Sequence, residues 1–303
     1  MAEFGKTLLI VNPVSQSGKG AEVAEQAREL LAAQPGCELE VAFTEYAGHA
    51  IDIAAQADGY QTILALGGDG LVHEVANGLM RLPADKRPAF GVIPMGSGND
   101  YARTLNIRSG VQDAIDDLTN AQVISADVGC CNGEFFVETL SFGLDAAIAL
   151  DTVERRKHTN KTEAALYFES GIDQLLHHRD TYRFTMDIDG SAQLSGDAIM
   201  MAIQIGRTYG GGFIICPDAR IDDGIFDICY AEGGMGLLRS VYIFAKAKGG
   251  QHGKYKEVHF AKGSSIKLSF DRRPPCQMDG EAHIADSYDI SIQQQALRVL
   301  SNA

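Results

Sequence analysis

The stretch TILALGGDGLVHEVANGLM, residues 62–80, decides the fold of the first half of this chain. Thr62–Leu66 is a short apolar run of the kind that forms a strand buried on both faces of a parallel sheet. Gly67-Gly68-Asp69-Gly70 follows at once, and the apolar spacing over Val72–Met80 predicts a helix. This strand–loop–helix unit predicts an open parallel sheet whose ligands bind at the carboxyl ends of the strands.

The same pattern occurs on both sides of this stretch. Thr7–Val11 is an apolar strand that ends in the turn Asn12-Pro13. Ala89–Ile93 is another, followed by Pro94-Met95-Gly96-Ser97-Gly98-Asn99 and the start of a helix. Between these strands the pattern predicts helices over 21–33 and 49–57 and a strand over 38–43. The first half is therefore expected to be a parallel sheet with helices on both faces.

The pattern changes near Asp127. Beyond it we expect one helix over Glu163–His177 and otherwise short strands with glycine turns. These strands are predicted at 134–139, 181–189, 197–205, 225–230, 264–270, 288–292 and 296–300. With 303 residues, the chain is predicted to be α/β with two domains, 1–127 and a β-rich 128–303, whose last strands could pack on either domain.

Charge and composition exclude several classes of protein. Lys and Arg number 26 against 40 Asp and Glu, a formal net charge of −14. Generic nucleic-acid binding is disfavoured because neutralising phosphates needs clustered cations. Adhesion to anionic lipid through the overall charge is disfavoured for the same reason. The 33 glycines exceed an average share of about 21, which indicates tight turns or close backbone approaches to a ligand.

Cysteine spacing and hydropathy indicate the cellular compartment in which the protein is expected to work. The six cysteines include no C-x-x-C pair, so neither a zinc site nor a redox motif is predicted. The N-terminal residues lack the basic and long apolar regions of a signal peptide, and no apolar run approaches 18 residues. We therefore expect a cytoplasmic protein with reduced, buried thiols.

The glycine-bearing loops suggest phosphate binding, since backbone N–H groups at helix starts suit phosphate oxygens. The loop Asn12–Gly20 has the ingredients of a P-loop, but G-x-x-x-x-G-K-[ST] and G-x-G-x-x-G are both absent. Asp69 either satisfies N–H groups of its own turn or is an acid that binds Mg²⁺ or orients a nucleophilic hydroxyl. Asp100 is either a helix N-terminal charge or a second acid of the site.

Taken together, these motifs resemble the diacylglycerol kinase catalytic-domain superfamily of lipid kinases. Gly67–Leu79 resembles its most specific signature, and Pro94–Arg103 and the loop from Asn12 to Lys19 resemble two others. The second half has runs similar to the family's substrate domain and near-terminal acidic motif: Tyr209–Phe213, Pro217–Ala219, Asp222–Asp227 and Asp279-Gly280-Glu281. The matches follow the family's order along the chain.

The resemblance implies a Rossmann-like nucleotide-binding domain, then a β-rich lipid-substrate domain, with ATP in the cleft between them. It implies Mg²⁺-dependent transfer of the ATP γ-phosphoryl to a lipid hydroxyl, with diacylglycerol giving phosphatidic acid as the leading case. Asp69 and Glu281 would be the acids nearest the transfer, one of them the base, and Asp100 and Asp127 a supporting charge network. ATP would contact Asn12, Ser17, Lys19, Gly67, Gly68, Gly70, Glu74, Gly96, Ser97 and Asn99.

The resemblance also implies a structural Mg²⁺ held by Asp218, Asp222 and Asp223, for which a plain Asp-Gly hairpin turn is the alternative. Leu71 stands where many members have Thr, and sphingosine kinases are more similar there. A sphingosine- or ceramide-type lipid therefore stays open, as does an NAD kinase, which shares the GGDG run. His73 is expected to be a packing residue.

A lipid kinase must reach a bilayer, so we expect peripheral, reversible contact with the inner face of the membrane. Two basic clusters are candidates: Arg155–His158 with Lys161, and Lys246, Lys248, Lys254 and Lys256. A solvated surface face is the alternative for both clusters. Whether the chain forms a homodimer is left open.

Overall fold

The computed structural model describes residues 4–13, 20–96, 98–156, 158–159 and 163–302. The predicted ATP contacts Ser17, Lys19 and Ser97 lie outside these ranges, as do Lys157 and Lys161 of the first basic cluster. The chain divides into two compact units, Met1–Val128 with Gln294–Ala303, and Gly129–Gln293.

The first unit contains a parallel sheet with strand order β2-β1-β3-β4. The strands of the first unit are β1 (Lys6–Val11), β2 (Glu38–Phe43), β3 (Thr62–Gly67), β4 (Ala89–Pro94) and most of β5 (Gln122–Cys131). Its helices are α1 (Gly20–Ala32), α2 (His49–Ala54), α3 (Asp69–Met80), α4 (Asp100–Thr104) and α5 (Val111–Asn120). The end of the last strand of the chain lies parallel to β4, with Val299 opposite Phe90.

Helix packing explains the apolar runs of this sheet. Every residue of β3 and β4 is buried, because helices cover both faces of the central strands. Helix α1 packs against α5, and α2 against α3. The second contact is close at Gly78 of α3, where a Cβ would lie 2.4 Å from the carbonyl oxygen of Ile51. A larger residue at position 78 would therefore push the two helices apart.

The strand order places the glycine loops at the switch point of the sheet. The chain leaves β1 for the edge strand β2 and then crosses back to β3 and β4. The direction of winding reverses between β1 and β3, and ligands of such sheets bind in the crevice at that point. Asn12 follows β1, and Gly67–Gly70 spans the end of β3. Both motifs singled out in the sequence therefore lie where the topology favours a ligand.

The second unit is largely antiparallel, with the order β16-β15-β7-β9-β8-β14-β17, and β12 pairs with β9 and β13. Its strands are β6 (Glu134–Phe136), β7 (Thr139–Gly143), β8 (Tyr182–Ile188), β9 (Ala192–Gln204), β10 (Thr208–Tyr209), β11 (Phe213–Ile214), β12 (Phe226–Glu232), β13 (Val258–Gly263), β14 (Ser265–Phe270), β15 (Cys276–Met278), β16 (Glu281–Ala282) and β17 (Ser287–Ser301). Its helices are α6 (Leu144–Arg156), α7 (Glu163–His177) and α8 (Leu237–Ala247). The predicted α/β class with a parallel sheet and a β-rich second half is confirmed.

Several predicted elements were wrong in detail. The sequence interpretation placed one helix in the second half, whereas α6 and α8 are also helical. The strand β13 was missed, and the two strands predicted near the C-terminus are the single strand β17. Helix α3 begins at Asp69 rather than at Val72, so the acid of the glycine loop is itself the first helical residue.

Among the described residues, no helix combines the length and the apolarity that a bilayer span needs.

Candidate active site

The described part of the first loop lies beside the end of β3. The N–H of Asn12 donates to the carbonyl of Leu66 at 3.3 Å. Helix α1 starts at Gly20, where a Cβ would lie 2.5 Å from the Asn12 carbonyl oxygen and 2.7 Å from that of Pro13. Glycine is therefore required at position 20, because the helix begins directly against the turn that ends β1.

The loops after β3 and β4 touch each other through glycines. A Cβ on Gly96 would lie 2.7 Å from the Cα of Gly68, and one on Gly68 would lie 3.1 Å from the Cα of Gly96. The N–H of Met95 donates to the carbonyl of Gly67 at 2.7 Å. Gly68 precedes helix α3 without a side-chain cap. The N-terminus of a long helix thus meets a second backbone loop, an arrangement that suits phosphate oxygens.

Asp69 ties these two loops together. Its Oδ2 accepts the N–H of Asn99 at 2.9 Å, and its Oδ1 accepts the N–H of Asp100 at 3.0 Å. Burial, followed by the charge of Asp100, raises the pKa of Asp69 to about 6, against the lowering effect of the N–H groups it accepts. Part of its surface stays accessible. A carboxyl group with a pKa near 6 is within reach of the pH range in which a general base works.

Asn99 holds its own loop closed. It has a left-handed backbone (φ 53°, ψ 43°), a conformation that Asn tolerates better than most residues. Its Oδ1 accepts the N–H of Gly96 at 2.7 Å, and its Nδ2 donates to the Gly96 carbonyl at 2.8 Å. Its side chain, predicted to contact ATP, is thus engaged in shaping the loop.

The two acids of the predicted charge network have different partners. Asp100 is buried and pairs with Arg103, whose Nη2 also donates to the Gly98 carbonyl at 3.0 Å. Asp127 is 1% exposed in β5 and accepts the N–H of Gln295 at 2.7 Å. Asp100 therefore adjoins Asp69, whereas Asp127 accepts a backbone N–H of β17.

Glu74 and His73, on helix α3, have structural contacts. The two Glu74 oxygens accept the N–H groups of Gly48 at 2.8 Å and Ala50 at 3.1 Å, at the start of α2. Glu74 thus holds the start of the neighbouring helix α2. The contact of Glu74 with ATP stays a prediction. His73 is buried, and its Nε2 lies 3.3 Å from the Nδ2 of Asn77, as expected of a packing residue.

The acidic motif of the second unit contains one structural and one exposed acid. Asp279 is buried with φ 47° and accepts three backbone N–H groups, those of residues 137, 138 and 139, at 2.9 to 3.0 Å. Gly280 donates to Oε1 of Gln277 at 2.7 Å, and Glu281 follows with its side chain exposed in β16. The sequence placed Asp279 in the acidic motif but assigned it no role, although an Asp preceding Gly is a recognisable turn signal.

The three acids predicted to bind a structural metal do not form a ligand cluster. Asp222 pairs with Arg220 at 3.1 Å, and Oδ1 of Asp223 accepts the N–H of Ile225 at 3.2 Å. Nowhere in the described residues do three or more His, Cys, Asp or Glu side chains group in a way that could hold a metal ion. The turn-like bond of Asp223 agrees with the hairpin alternative.

The second unit contains an apolar cavity of about 70 Å³ between α6, α7, α8 and the sheet. Asp145 lines it, is 4% exposed and accepts a hydrogen bond from the hydroxyl of Tyr167 on Oδ1. Its Oδ2 has no well-aligned partner among the described residues, although the hydroxyl groups of Tyr209 and Ser141 are close enough to act on the carboxyl group. Burial raises the pKa of Asp145, and these hydroxyl groups oppose that shift. Sequence reasoning missed Asp145, which lies on the unpredicted helix α6 and belongs to no recognised motif.

Comparison with known proteins assigns both units. The profile of the diacylglycerol kinase catalytic domain matches residues 6–131, and that of the YegS C-terminal NAD kinase beta sandwich-like domain matches residues 138–301. A diacylglycerol kinase of Bacillus subtilis is 30% identical over 251 residues, 82% of this chain and 80% of that protein. The chain belongs to the diacylglycerol kinase family. The resemblance predicted from its motifs is confirmed.

Further relatives of this diacylglycerol kinase family member agree. A diacylglycerol kinase of Staphylococcus saprophyticus is 29% identical over 248 residues, 81% of this chain and 79% of that protein. A crystal structure of a diacylglycerol kinase from Bacillus anthracis has a TM-score of 0.78 at 22% identity, covering 99% of this chain and 98% of that one. An Archaeoglobus fulgidus NAD kinase in complex with ATP has a TM-score of 0.52 at 11% identity, covering 98% and 93%. The two structures show the shared fold.

Family membership confirms the enzyme class. This diacylglycerol kinase family member is an ATP-dependent lipid kinase whose acceptor group is an alcohol. The task of such a site is to position and stabilise the transferred phosphoryl group, and little covalent chemistry is required of the protein. The paired glycine loops and the N-terminus of α3 are suited to that task.

Proposed function

We propose that the acceptor is diacylglycerol, so that the product is phosphatidic acid. The observation that carries this proposal is the cavity containing Asp145, whose other lining side chains are mostly apolar. Burial raises the pKa of Asp145 against the lowering effect of hydrogen bonds from neighbouring hydroxyl groups, which shifts the carboxyl group toward its neutral form. A neutral carboxyl group can both donate to and accept from a hydroxyl or ester. Such a pocket suits an uncharged lipid alcohol.

The cavity can adapt to a longer chain. Its present volume of about 70 Å³ holds only part of an acyl chain. Met200, Met235 and Phe244 line it and are only partly buried. Since Met is unbranched and flexible, movement of these side chains can lengthen the cavity at small cost. The lipid tail would then be enclosed by apolar surface while its polar end meets Asp145.

A sphingoid base is the second candidate, because the Asp145 carboxylate in the cavity could pair with an ammonium group. That pairing needs the ionised carboxylate, which burial at this position disfavours. The neutral lipid is therefore preferred.

At the glycine loops, where the phosphoryl group would be transferred, we propose that Asp69 takes the proton of the acceptor hydroxyl. Glu281 is the other candidate base. Mg²⁺ usually binds through one or two carboxylates together with substrate phosphates. Asp100 is the acid beside the glycine loops that could supply such a ligand, since its charge acts on Asp69, and an ion there would compete with Arg103 for it. When bound, Mg²⁺ would neutralise charge on the phosphate groups. Gly67, Gly68, Gly70 and Gly96 would lie against those phosphates. The contacts proposed for Ser17, Lys19 and Ser97 lie outside the described residues.

The test is transfer of radiolabelled γ-phosphate from ATP into mixed micelles of diacylglycerol, sphingosine or ceramide, with NAD in a parallel assay. We expect label in phosphatidic acid. Label mainly in a sphingoid product, or only in a water-soluble product, would contradict the assignment.

We expect Asp145→Asn to raise KM for diacylglycerol about tenfold, since one hydrogen bond to the lipid is weakened, while KM for ATP stays unchanged. The matched control is Asp151→Asn on the same helix, because Asp151 bonds Arg155 and Ser170 and does not line the cavity. Equal effects of the two substitutions on KM for lipid would argue against a role for the cavity.

A further inference from the structure

The outer face of helix α8 is apolar although it faces solvent. Ser240, Ile243 and Ala247 form its buried face. Leu238 and Tyr242 lie on the opposite face and are 85% and 48% exposed. Ala245, also exposed, follows at the spacing that keeps these residues in one stripe along the helix. The helix therefore has two apolar faces, of which only one packs within the second unit.

Cations surround this stripe. At about 100° per residue, Lys246 and Lys248 lie roughly 80° to either side of Leu238. Lys254 and Lys256 are exposed in the segment that follows the helix. Residues 233–256 contain five Lys and Arg and no Asp or Glu, in a chain of net charge −14. The local charge thus has the opposite sign to that of the whole chain.

These four lysines form no ion pair within the described part of the chain, although the charge of Lys256 contributes to lowering the pKa of the neighbouring Glu257. Of the five cations, Arg239 pairs with Glu257 at 2.9 Å, whereas no lysine of this group forms an ion pair with a described carboxylate. The Nζ of Lys246 lies 5.5 Å from the ring centroid of Tyr242. An exposed stripe that contains a leucine and a tyrosine, flanked by lysines, has the composition of a helix at a lipid interface.

We infer that α8 and the segment through Lys256 dock this enzyme on the surface of an anionic lipid bilayer. Leu238 and Tyr242 enter the headgroup region, and the four lysines meet the lipid phosphates. Ile243, Phe244 and Ala247 of the same helix line the apolar cavity. When α8 is docked, the thickness of this one helix therefore lies between the bilayer surface and the cavity. The inference rests on the proposed function in one respect: the lipid acceptor is taken from a membrane.

The described part of the other basic cluster, which excludes Lys157 and Lys161, is less suited to this role. Arg155 pairs with Asp151 and Asp173, so its charge is already neutralised within the second unit. We therefore assign the membrane contact to α8.

The test is co-sedimentation of the full chain with vesicles of phosphatidylcholine, with and without phosphatidylglycerol. Wild type is expected to bind the anionic vesicles preferentially. The triple variant Lys248→Glu, Lys254→Glu, Lys256→Glu should lower the partition coefficient about 100-fold or more, since each lysine near an anionic surface contributes to binding. Leu238→Asp should lower it about tenfold, because an apolar side chain no longer enters the interface.

Matched controls show whether a loss of binding is specific to this surface or follows from any change of charge or hydropathy. Lys267→Glu changes an exposed lysine on β14, and Phe43→Asp changes a 46% exposed aromatic residue in the first unit. Both should bind vesicles within about twofold of wild type, whereas Lys248→Glu alone should bind about tenfold more weakly. Undiminished binding of the triple variant, or no preference of wild type for anionic vesicles, would overturn the inference.

A second readout keeps this inference apart from the proposed function. Short-chain diacylglycerol dissolved as monomers needs no membrane docking, so the triple variant and Leu238→Asp should phosphorylate it at the wild-type rate while losing activity on vesicle-bound diacylglycerol. Failure of wild type on the monomeric substrate would contradict the proposed function without affecting the vesicle-binding result.

Discussion

The Asp69→Asn enzyme should transfer phosphoryl groups about a thousandfold more slowly than wild type, because the proposed proton acceptor is lost. The amide keeps one oxygen for the N–H groups of Asn99 and Asp100, so the two glycine loops should stay joined. We therefore expect the loss in kcat with diacylglycerol as acceptor, and a KM for ATP within about threefold of wild type.

The pH profile distinguishes a catalytic role of Asp69 from a purely structural one. Its pKa of about 6 means that the active carboxylate form is lost as pH falls through that value. The kcat/KM of wild type should therefore rise through about pH 6 and level off above it. This rise should disappear in Asp69→Asn and persist in Glu281→Gln. The reverse assignment, with the rise lost only in Glu281→Gln, would make Glu281 the base.

Asp279→Ala should lower the free energy of unfolding of the second unit by about 4 kcal/mol, since three buried N–H groups lose the oxygens that accept them. The bonds join residues about 140 positions apart, so the loss also releases a long-range connection between β15 and the segment before β7. Urea unfolding followed by intrinsic tyrosine fluorescence measures the effect.

Two substitutions serve as controls for this prediction. Asp279→Asn retains one oxygen as acceptor and should cost about half as much. Glu281→Gln changes an exposed side chain two residues away and should leave the unfolding curve unchanged. An Asp279→Ala protein as stable as wild type would show that residues 137–139 do not depend on this carboxylate.

The sheet of the first unit was predictable because its strands are buried on both faces. The apolar runs at β1, β3 and β4 have no other stable location, and the loops after them contain glycines where the backbones of two loops touch, as at Gly68 and Gly96. Residue types and their order along the chain were therefore sufficient to predict the parallel sheet, the glycine loops at its edge and the family.

The second unit was less predictable because packing overrides local preference. Val241-Tyr242-Ile243-Phe244 is a β-branched and aromatic run typical of a strand, yet it is helical in α8, with Ile243 buried in the core beside α7 and the sheet. The same helix shows why the basic cluster could be noticed in the sequence whereas the apolar stripe of α8 could not. The residues of the stripe come together on one face only when this segment is known to be a helix.

The sequence by itself determined the fold of the first unit, the family and the candidate acids other than Asp145. Only the tertiary structure decided what each acid contacts. Asp69 joins two loops, Glu74 holds the start of α2, Asp279 binds residues 137–139, and Asp145 lines an apolar cavity. Local patterns report on neighbours within a few residues, whereas these bonds span 30, 26 and 142 residues along the chain. The environment that sets the charge and the role of a carboxylate is therefore created only when distant segments pack together.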